Sequence, residues 1–541
     1  MAIYLGLDAS TQSLSAVAID YDRRKVVLDH SINFDERLPQ FKSKGGVLPN
    51  AQPESPVAHS DPLMWLAALD LLFSEIGDKL DLSRVRAIAG SGQQHGSVYL
   101  NERASTILGS LDSERPLSEQ IAPALSRRTS PIWMDQSTRR QKQEIEQALG
   151  GPGPTAELTG SRCFERFTGP QIRKFWQEGP GAYARTNRIH LVSSFMASVL
   201  NGRHAPIDHG DGAGMNLMDI RAREWSAEAI AATAPHLASK LPPLGPSDTL
   251  LGRLSPYFVE RYGFSREALA IAWSGDNPCS LIGLGLISAG RVGISLGTSD
   301  TYFGYMTEPR TSPEGAEGHV FGAPTGDYMS LICFQNGSLA REVNVRDRYG
   351  LDWEGFSRRL GESPPGNRGR VLLPYFGPEI TPAVPRAMVR RYGLEESDAA
   401  GNVRGVIEAQ MASMALHSQW MGGKAETIYA TGGGSQNRDI LQVMADLHDA
   451  EVYQFEVSKS AALGAALRAA HADLKARGEE PTWPEVVADF AEPVAESRIA
   501  PNPNTVPLYR EFLQVYQACE AHALRAGPDP SELQRQFAAK W

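Results

Sequence analysis

Two stretches of the chain, residues 3–20 and 290–306, share one hydropathic plan: an apolar strand, a turn of small polar residues, and a second apolar strand. The first reads IYLGLDASTQSLSAVAID with its turn at residues 8–13, and the second reads GRVGISLGTSDTYFGYM with its turn at residues 297–300. Apolar and small residues bracket both turns, as a hairpin with close backbone approach requires. Between them, residues 45–61 are rich in Gly, Pro and Ser and read as a long loop. A helix follows, with Asp61 placed to cap it, Pro62 in its first turn, and Leu63, Leu66, Leu69, Leu72, Phe73 and Ile76 on one face. Residues 85–89 form a strand that ends in SGQQHG, and residues 97–100 form another. Helical patterns recur at 137–149, 170–178 and 190–200, and the Pro-rich segment 241–246 reads as a surface connection.

From Val292 the pattern restarts with a hairpin, a loop and helical stretches, including a long helix over 406–422. Residues 428–430 form a strand that runs into TGGGSQN, after which 438–447 resume as a helix. Strand, glycine turn and helix in that order suit a nucleotide at a helix N-terminus. Residues 508–524 are an amphipathic helix. The duplicated plan predicts an α/β protein with two similar domains, 1–285 and 286–541, the second carrying a C-terminal helical tail.

Composition narrows the classes. The chain has 541 residues, 42% of them apolar, which is ample for full cores. Its net charge is −10, and the basic pairs at 127–128, 139–140 and 390–391 do not extend into a stripe, so nucleic acid is not an expected partner. Four cysteines, Cys163, Cys279, Cys333 and Cys519, lack metal-ligand spacing and are too few for a disulfide framework, which fits a reducing cytoplasmic setting. The first apolar run stops at Asp8 and reads as a core strand rather than a signal peptide. The most apolar later stretch, 281–296, is broken by glycines and Arg291, so no membrane span is expected.

The candidate chemistry lies at the turns. Turns of Gly, Ser and Thr expose N–H groups and hydroxyls that suit a phosphate chain held between two loops, which makes Thr11, Gly297 and Thr298 candidate phosphate contacts. Asp8 at a strand end would repel phosphate unless a cation stood between them. It is therefore either a ligand for Mg²⁺ on ATP, directly or through water, or an Asx-turn residue. Asp276, in SGDNPCSL, is either functional or a helix cap. Gly432, Gly433 and Gly434 permit close approach of a nucleotide or simply close a loop, and Asn437 either contacts that nucleotide or caps the next helix. His95 suits a polyol hydroxyl or a packed core position. Trp133 and Trp353 are core residues by default.

Taken together, the motifs SGQQHGSVYL, SPIWMDQST, TGSRCFERFTGPQI, DHGDGAGMNL, SGDNPCSL, SLGTSDT and ATGGGSQNRDILQV resemble, in content and order, the FGGY carbohydrate kinases. Within that family the likeness is to the longer, animal-type branch that phosphorylates xylulose, and it covers nearly the whole chain. The resemblance implies two ribonuclease H-like domains of the actin/Hsp70/hexokinase type around a central cleft, with the sugar deep in the cleft and ATP held mainly by the second domain. It also implies Asp276 as catalytic base and substrate contact, with His95, Arg166 and Asn277 as further substrate contacts. Gly433, Gly434, Asn437 and, in a segment of variable length, Trp353 are implied as nucleotide contacts. The first phosphate loop departs from the wider family, where a Gly and a basic residue stand at the places held here by Ser10 and Ser15. Neutralisation there is left to Mg²⁺, N–H groups and hydroxyls. The expected activity is ATP-dependent phosphorylation of D-xylulose by a monomer or homodimer. The alternatives are another polyol or ketose (ribulose, glycerol, rhamnulose) or a non-catalytic sugar sensor of the same fold.

Overall fold

The computed structural model describes residues 2–50, 52, 54–455, 459–493 and 495–541. Its frame is two twisted sheets built to the same order. In the first, β1 (Ile3–Ala9), β2 (Ser13–Asp20) and β3 (Lys25–Asn33) form an antiparallel meander. β4 (Val85–Gly92) then lies parallel to β1, and β5 (Leu269–Ile271) lies parallel to β4. In the second, β6 (Arg291–Leu296), β7 (Asp300–Met306) and β8 (Tyr328–Phe334) repeat the meander. β9 (Thr427–Thr431) and β10 (Glu451–Gln454) then add in parallel beside β6. Both hairpins read from the hydropathic plan are therefore the central strands of equivalent sheets, and the fold is the two-domain α/β architecture expected.

Local signals act as their chemistry dictates. Helix α1 (Pro62–Gly77) begins where Asp61 accepts from the N–H of Leu63, and its leucine face is buried against the first sheet. The strand read as 85–89 runs on to Gly92 because Ser91 and Gly92 pair with Ala9's neighbourhood on one side and with Ser274–Gly275 on the other. The helix read as 190–200 starts two residues later, at Val192, because His190 and Leu191 belong to a strand that pairs with Ser97–Leu100. The long helix of the second half is α3 (Ala399–His417), which Asp398 caps by accepting from the N–H of Gly401.

Helix α2 (Asp276–Gly283) leaves the first sheet towards the second, and helix α5 (Ser460–Ala476) returns from the second half to lie on the first sheet. Small residues make both contacts possible. A Cβ on Gly6 of β1 would stand 2.0 Å from the Ala462 carbonyl oxygen, and one on Gly464 would stand 1.9 Å from that of Cys279. Gly283 is equally confined, 1.9 Å from the Ser460 carbonyl oxygen. Arg468 of α5 is fully buried and donates to the carbonyls of Gly90 (3.1 Å), Ser247 (2.7 Å) and Ala272 (2.8 Å), tying two strands of the first sheet and the loop at Ser247 to a helix from the far end of the chain.

Candidate active site

The site is assembled where parallel strands of both sheets end. Register alone brings the first set together: Asp8 on β1 lies beside Ser91 on β4, Ser91 lies beside Ser274, and Asp276 follows Ser274 by two residues at the start of α2. Asp276 is the first helical residue rather than the cap, which is Gly275, and its Oδ1 accepts from the backbone N–H of Asn277 at 2.9 Å and from the Asn277 side chain at 3.1 Å. Asn277 also donates to Gln94 Oε1 at 2.7 Å, joining α2 to the GQQHG turn. That contact requires Gly275, because a Cβ there would stand 2.6 Å from Gln94 Cγ.

His95 has a left-handed backbone (φ 70°) that turns its ring under the strand ends. Its Nδ1–H donates to the Gly214 carbonyl at 2.9 Å, which leaves Nε2 as an acceptor, and the ring stacks on Phe167 with centroids 4.3 Å apart. Burial and the Arg166 guanidinium push its pKa down to about 3, so it is a neutral imidazole at any working pH. Arg166 lies over Phe164 and Phe167 in the same cluster. Asp8, Asp276 and Asn277 thus form one polar group and His95 and Arg166 a second, linked through Gln94, which Asn277 reaches and which His95 follows in the GQQHG turn.

The carboxyls are poised by their surroundings. Burial raises the Asp276 pKa to about 6, against the N–H donors that hold it down. Burial and the neighbouring Asp276 charge raise Asp8 to about 7, with the Ser91 hydroxyl donating at 2.7 Å the other way. The two titrate as a pair. Among the described residues no group of three or more His, Cys, Asp or Glu is arranged to hold a metal ion. Mg²⁺ on a nucleotide needs only one or two carboxylates plus phosphates and water, and two adjacent carboxyls that have no basic partner among the described residues fit it.

One test follows from linkage. The folded protein holds these two protons to higher pH than the unfolded chain, whose aspartates ionise near pH 4, so the pair lowers stability as pH rises from about 4 through 7. Without added Mg²⁺ or nucleotide, Asp8→Asn should melt at a higher temperature than the wild type at pH 8, and the gap should close towards pH 4. A gap independent of pH in thermal melts would refute this electrostatic account.

The second set of residues gathers at the end of β6. Gly297 accepts from the Ser338 N–H at 2.9 Å and from Arg341 at 3.2 Å, while Thr298 is exposed at the turn. Arg341, fully buried, also donates to Asp300 at 2.5 Å and so braces the turn from beneath. Gly432 has φ 81°, and a Cβ on it would stand 2.7 Å from the Leu296 carbonyl oxygen, whereas Gly433 has open space around it. Asn437 caps helix α4 (Arg438–His448) by accepting from the N–H groups of Asp439 and Ile440, and its amide donates to Ser357 at 2.9 Å. Trp353 lies one turn before Ser357 on the same face of its helix, partly buried beneath Arg346. The structure thus gathers Gly297, Gly433, Gly434, Asn437 and Trp353 around one turn system.

Trp133 departs from the default reading as a core residue. It is 45% exposed, and its indole N–H donates to Thr11 Oγ1 at 2.8 Å, so it lies over the turn between β1 and β2. Sequence reasoning also passed over Gln94, Asp300, Arg341 and His319. Gln94 stood inside a quoted motif. Arg341 and His319 sit in segments whose residues look ordinary until the fold places them.

The model of the FGGY family of carbohydrate kinases matches the chain twice, the N-terminal domain over residues 3–283 and the C-terminal domain over residues 292–472. The chain belongs to this family. A xylulose kinase of Mus musculus is 40% identical over 537 residues, covering 98% of this chain and 96% of that protein. Xylulose kinase 2 of Arabidopsis thaliana is 43% identical over 492 residues, 87% of each. Among solved structures, a xylulose kinase from Rhodospirillum rubrum superposes with a TM-score of 0.79 at 19% identity, covering 97% of this chain and 99% of that one. As an FGGY kinase the protein is a carbohydrate kinase, and its two sheets are the two halves of that fold. Among its described residues no helix is long and apolar enough to cross a membrane.

Proposed function

We propose that this FGGY kinase transfers the γ-phosphoryl group of ATP to the terminal hydroxyl of D-xylulose, giving D-xylulose 5-phosphate and ADP. The substrate rests on the likeness, over nearly the whole chain, to relatives named xylulose kinase. The chemistry rests on Asp276, a carboxyl with a pKa near 6 at the open end of three strands. In this reading Asp276 takes the proton of the C5 hydroxyl as its oxygen bonds to the γ-phosphorus and the bond to the β-phosphate breaks. His95, through its free Nε2, and Asn277 and Arg166 hold the sugar. Residues 1–285 carry this part, and residues 286–541 carry the nucleotide at Gly297, Thr298, Gly433, Gly434, Asn437 and Trp353, with Thr11 reaching the phosphates from the other side. Asp8 would hold Mg²⁺, which when bound neutralises phosphate charge that Ser10 and Ser15 cannot.

The deciding assay is coupled ADP release from the purified protein over a panel of D-xylulose, D-ribulose, L-rhamnulose and glycerol. D-xylulose should give the highest kcat/KM. A preference for another member would reassign the substrate, and no turnover on any would favour a non-catalytic sugar sensor. Within that assay His95→Ala should raise the KM for the sugar by about tenfold or more while leaving the KM for ATP within about twofold, since a buried acceptor facing a hydroxyl is lost. Equal shifts in both would assign His95 to folding instead.

A further inference from the structure

The cluster around His95 and Arg166 also takes side chains from the second half of the chain, among them Phe321, 6.4 Å from the His95 ring, and His319. His319 opens the edge strand His319–Gly322 of the second sheet, which pairs with β8. The opposite side of that strand is seated on the first half. Val320 N–H donates to the Gly160 carbonyl at 3.0 Å, and a Cβ on Gly322 would stand 2.8 Å from the His209 carbonyl. The His319 ring is 4% exposed, edge-on to Phe164 at 4.6 Å and 5.3 Å from Phe167, the ring on which His95 stacks.

Its Nε2 stands 2.8 Å from Arg166 Nη2. A guanidinium can only donate, so Nε2 must accept, and the neutral imidazole carries its proton on Nδ1. Burial and the nearby guanidinium hold His319 well below the usual histidine range, which keeps it in that acceptor form. Among the described residues Arg166 has no carboxylate within ion-pair distance, and His319 Nδ1 has no hydrogen-bond partner. The guanidinium is therefore oriented by a neutral acceptor that leaves its charge uncompensated. The orphaned Nδ1–H is a buried donor that an oxygen of a bound polyol or a water would satisfy.

We propose that His319 is a positioning residue for the sugar: it fixes the Arg166 guanidinium against the Phe164–Phe167 platform, so that sugar recognition by the first half depends on the seating of an edge strand from the second. A carboxylate in its place would neutralise Arg166 and weaken its hold on hydroxyl and carbonyl oxygens. The proposal rests on the reading of Arg166 as a sugar contact.

Steady-state kinetics of the full-length protein with D-xylulose and ATP test it, using His319→Ala, His319→Gln, Arg166→Ala and the double variant His319→Ala/Arg166→Ala. His319→Ala should raise the KM for D-xylulose about tenfold to a hundredfold and leave the KM for ATP within about twofold, as loss of a hydrogen bond to a charged group predicts. His319→Gln, whose amide oxygen can accept from Arg166, should recover most of the loss. The double variant should be no worse than Arg166→Ala alone, because a positioning residue has nothing left to position. If Arg166→Ala weakens sugar binding but the His319 effect adds to it in full, the proposal fails while the reading of Arg166 stands. If Arg166→Ala leaves the sugar KM unchanged, both fail. Should His319→Ala melt well below the wild type, the His319→Gln variant decides: a fold restored to wild-type stability with the sugar KM still raised counts against positioning through Nε2.

Discussion

Replacing Asp276 with Asn is expected to lower kcat for D-xylulose by about a hundredfold to ten-thousandfold, the usual yield of a general base. The amide oxygen can still accept from the Asn277 N–H and side chain, which bond Oδ1 at 2.9 and 3.1 Å, so the helix start and the link to Gln94 persist. What is lost is the ability to receive a proton. A pKa near 6, raised by burial, makes the carboxylate a better proton acceptor than an ordinary aspartate while leaving it mostly ionised at neutral pH. Much of the sugar affinity should survive, because His95, Asn277 and Arg166 are assigned to the sugar beside Asp276. The check is ADP release together with direct titration of D-xylulose by calorimetry. Near-normal turnover by a correctly folded variant would remove Asp276 from the reaction.

A second large effect is expected from Arg468→Met, this time on stability. The substitution roughly keeps the volume of the stem but strips three carbonyls, those of Gly90, Ser247 and Ala272, of their donor. Buried acceptors left without partners cost about 1–3 kcal/mol each, so a total of about 3 kcal/mol or more is expected, visible as a fall of roughly 3 °C or more in Tm. The carbonyl-bearing strands lead directly to Ser91 and to Asp276, so turnover should fall as well. Arg477→Ala, on an arginine whose side chain is 42% exposed, is the control and should shift Tm by little. A matched, small shift for both would mean that water replaces the buried guanidinium without penalty.

The hairpins and the first long helix were legible because each signal is local. Apolar runs flank small-residue turns, and Asp61 and Pro62 mark a helix start whatever packs on it. Helix α5 was not read at all, for the opposite reason. Its sequence SAALGAALRAAHADLKA is buried almost all round, so it carries no contrast between faces, and its partner strand β1 lies at the other end of the chain. His319 escaped for a related reason: HVFG reads as any short strand, and only the crossing of the second sheet's edge onto Gly160 and His209 brings it to Arg166. Trp133 was misjudged because a large aromatic is core by composition, while its indole is held at the surface by a hydroxyl of the turn it covers. The roles of Asp276, Arg166 and the glycine turn came from likeness to a family; the residues alone left a helix cap and a loop closure as open readings for the first and last and did not single out Arg166.

The backbone contact between α2 and α5 bears on how the halves can move. The chain passes from the first sheet to the second just beyond Gly283 and returns just before Gly464, and these two glycines meet with no side chain between them. Two crossings pinched together at one point of close backbone contact favour turning of the halves about that point, as on a pair of scissors, while a third crossing beyond Ala491 carries the chain back to Ile499 beside the second sheet. Only small side chains pack around the two glycines, Cys279 against Ala461 and Ala465 and the Ser460 hydroxyl on that of Ser280, so a few degrees of swing disturbs little packing there. Asp276 stands at the opposite end of α2, two turns of helix away, so its carboxyl stays close to this contact as the halves turn.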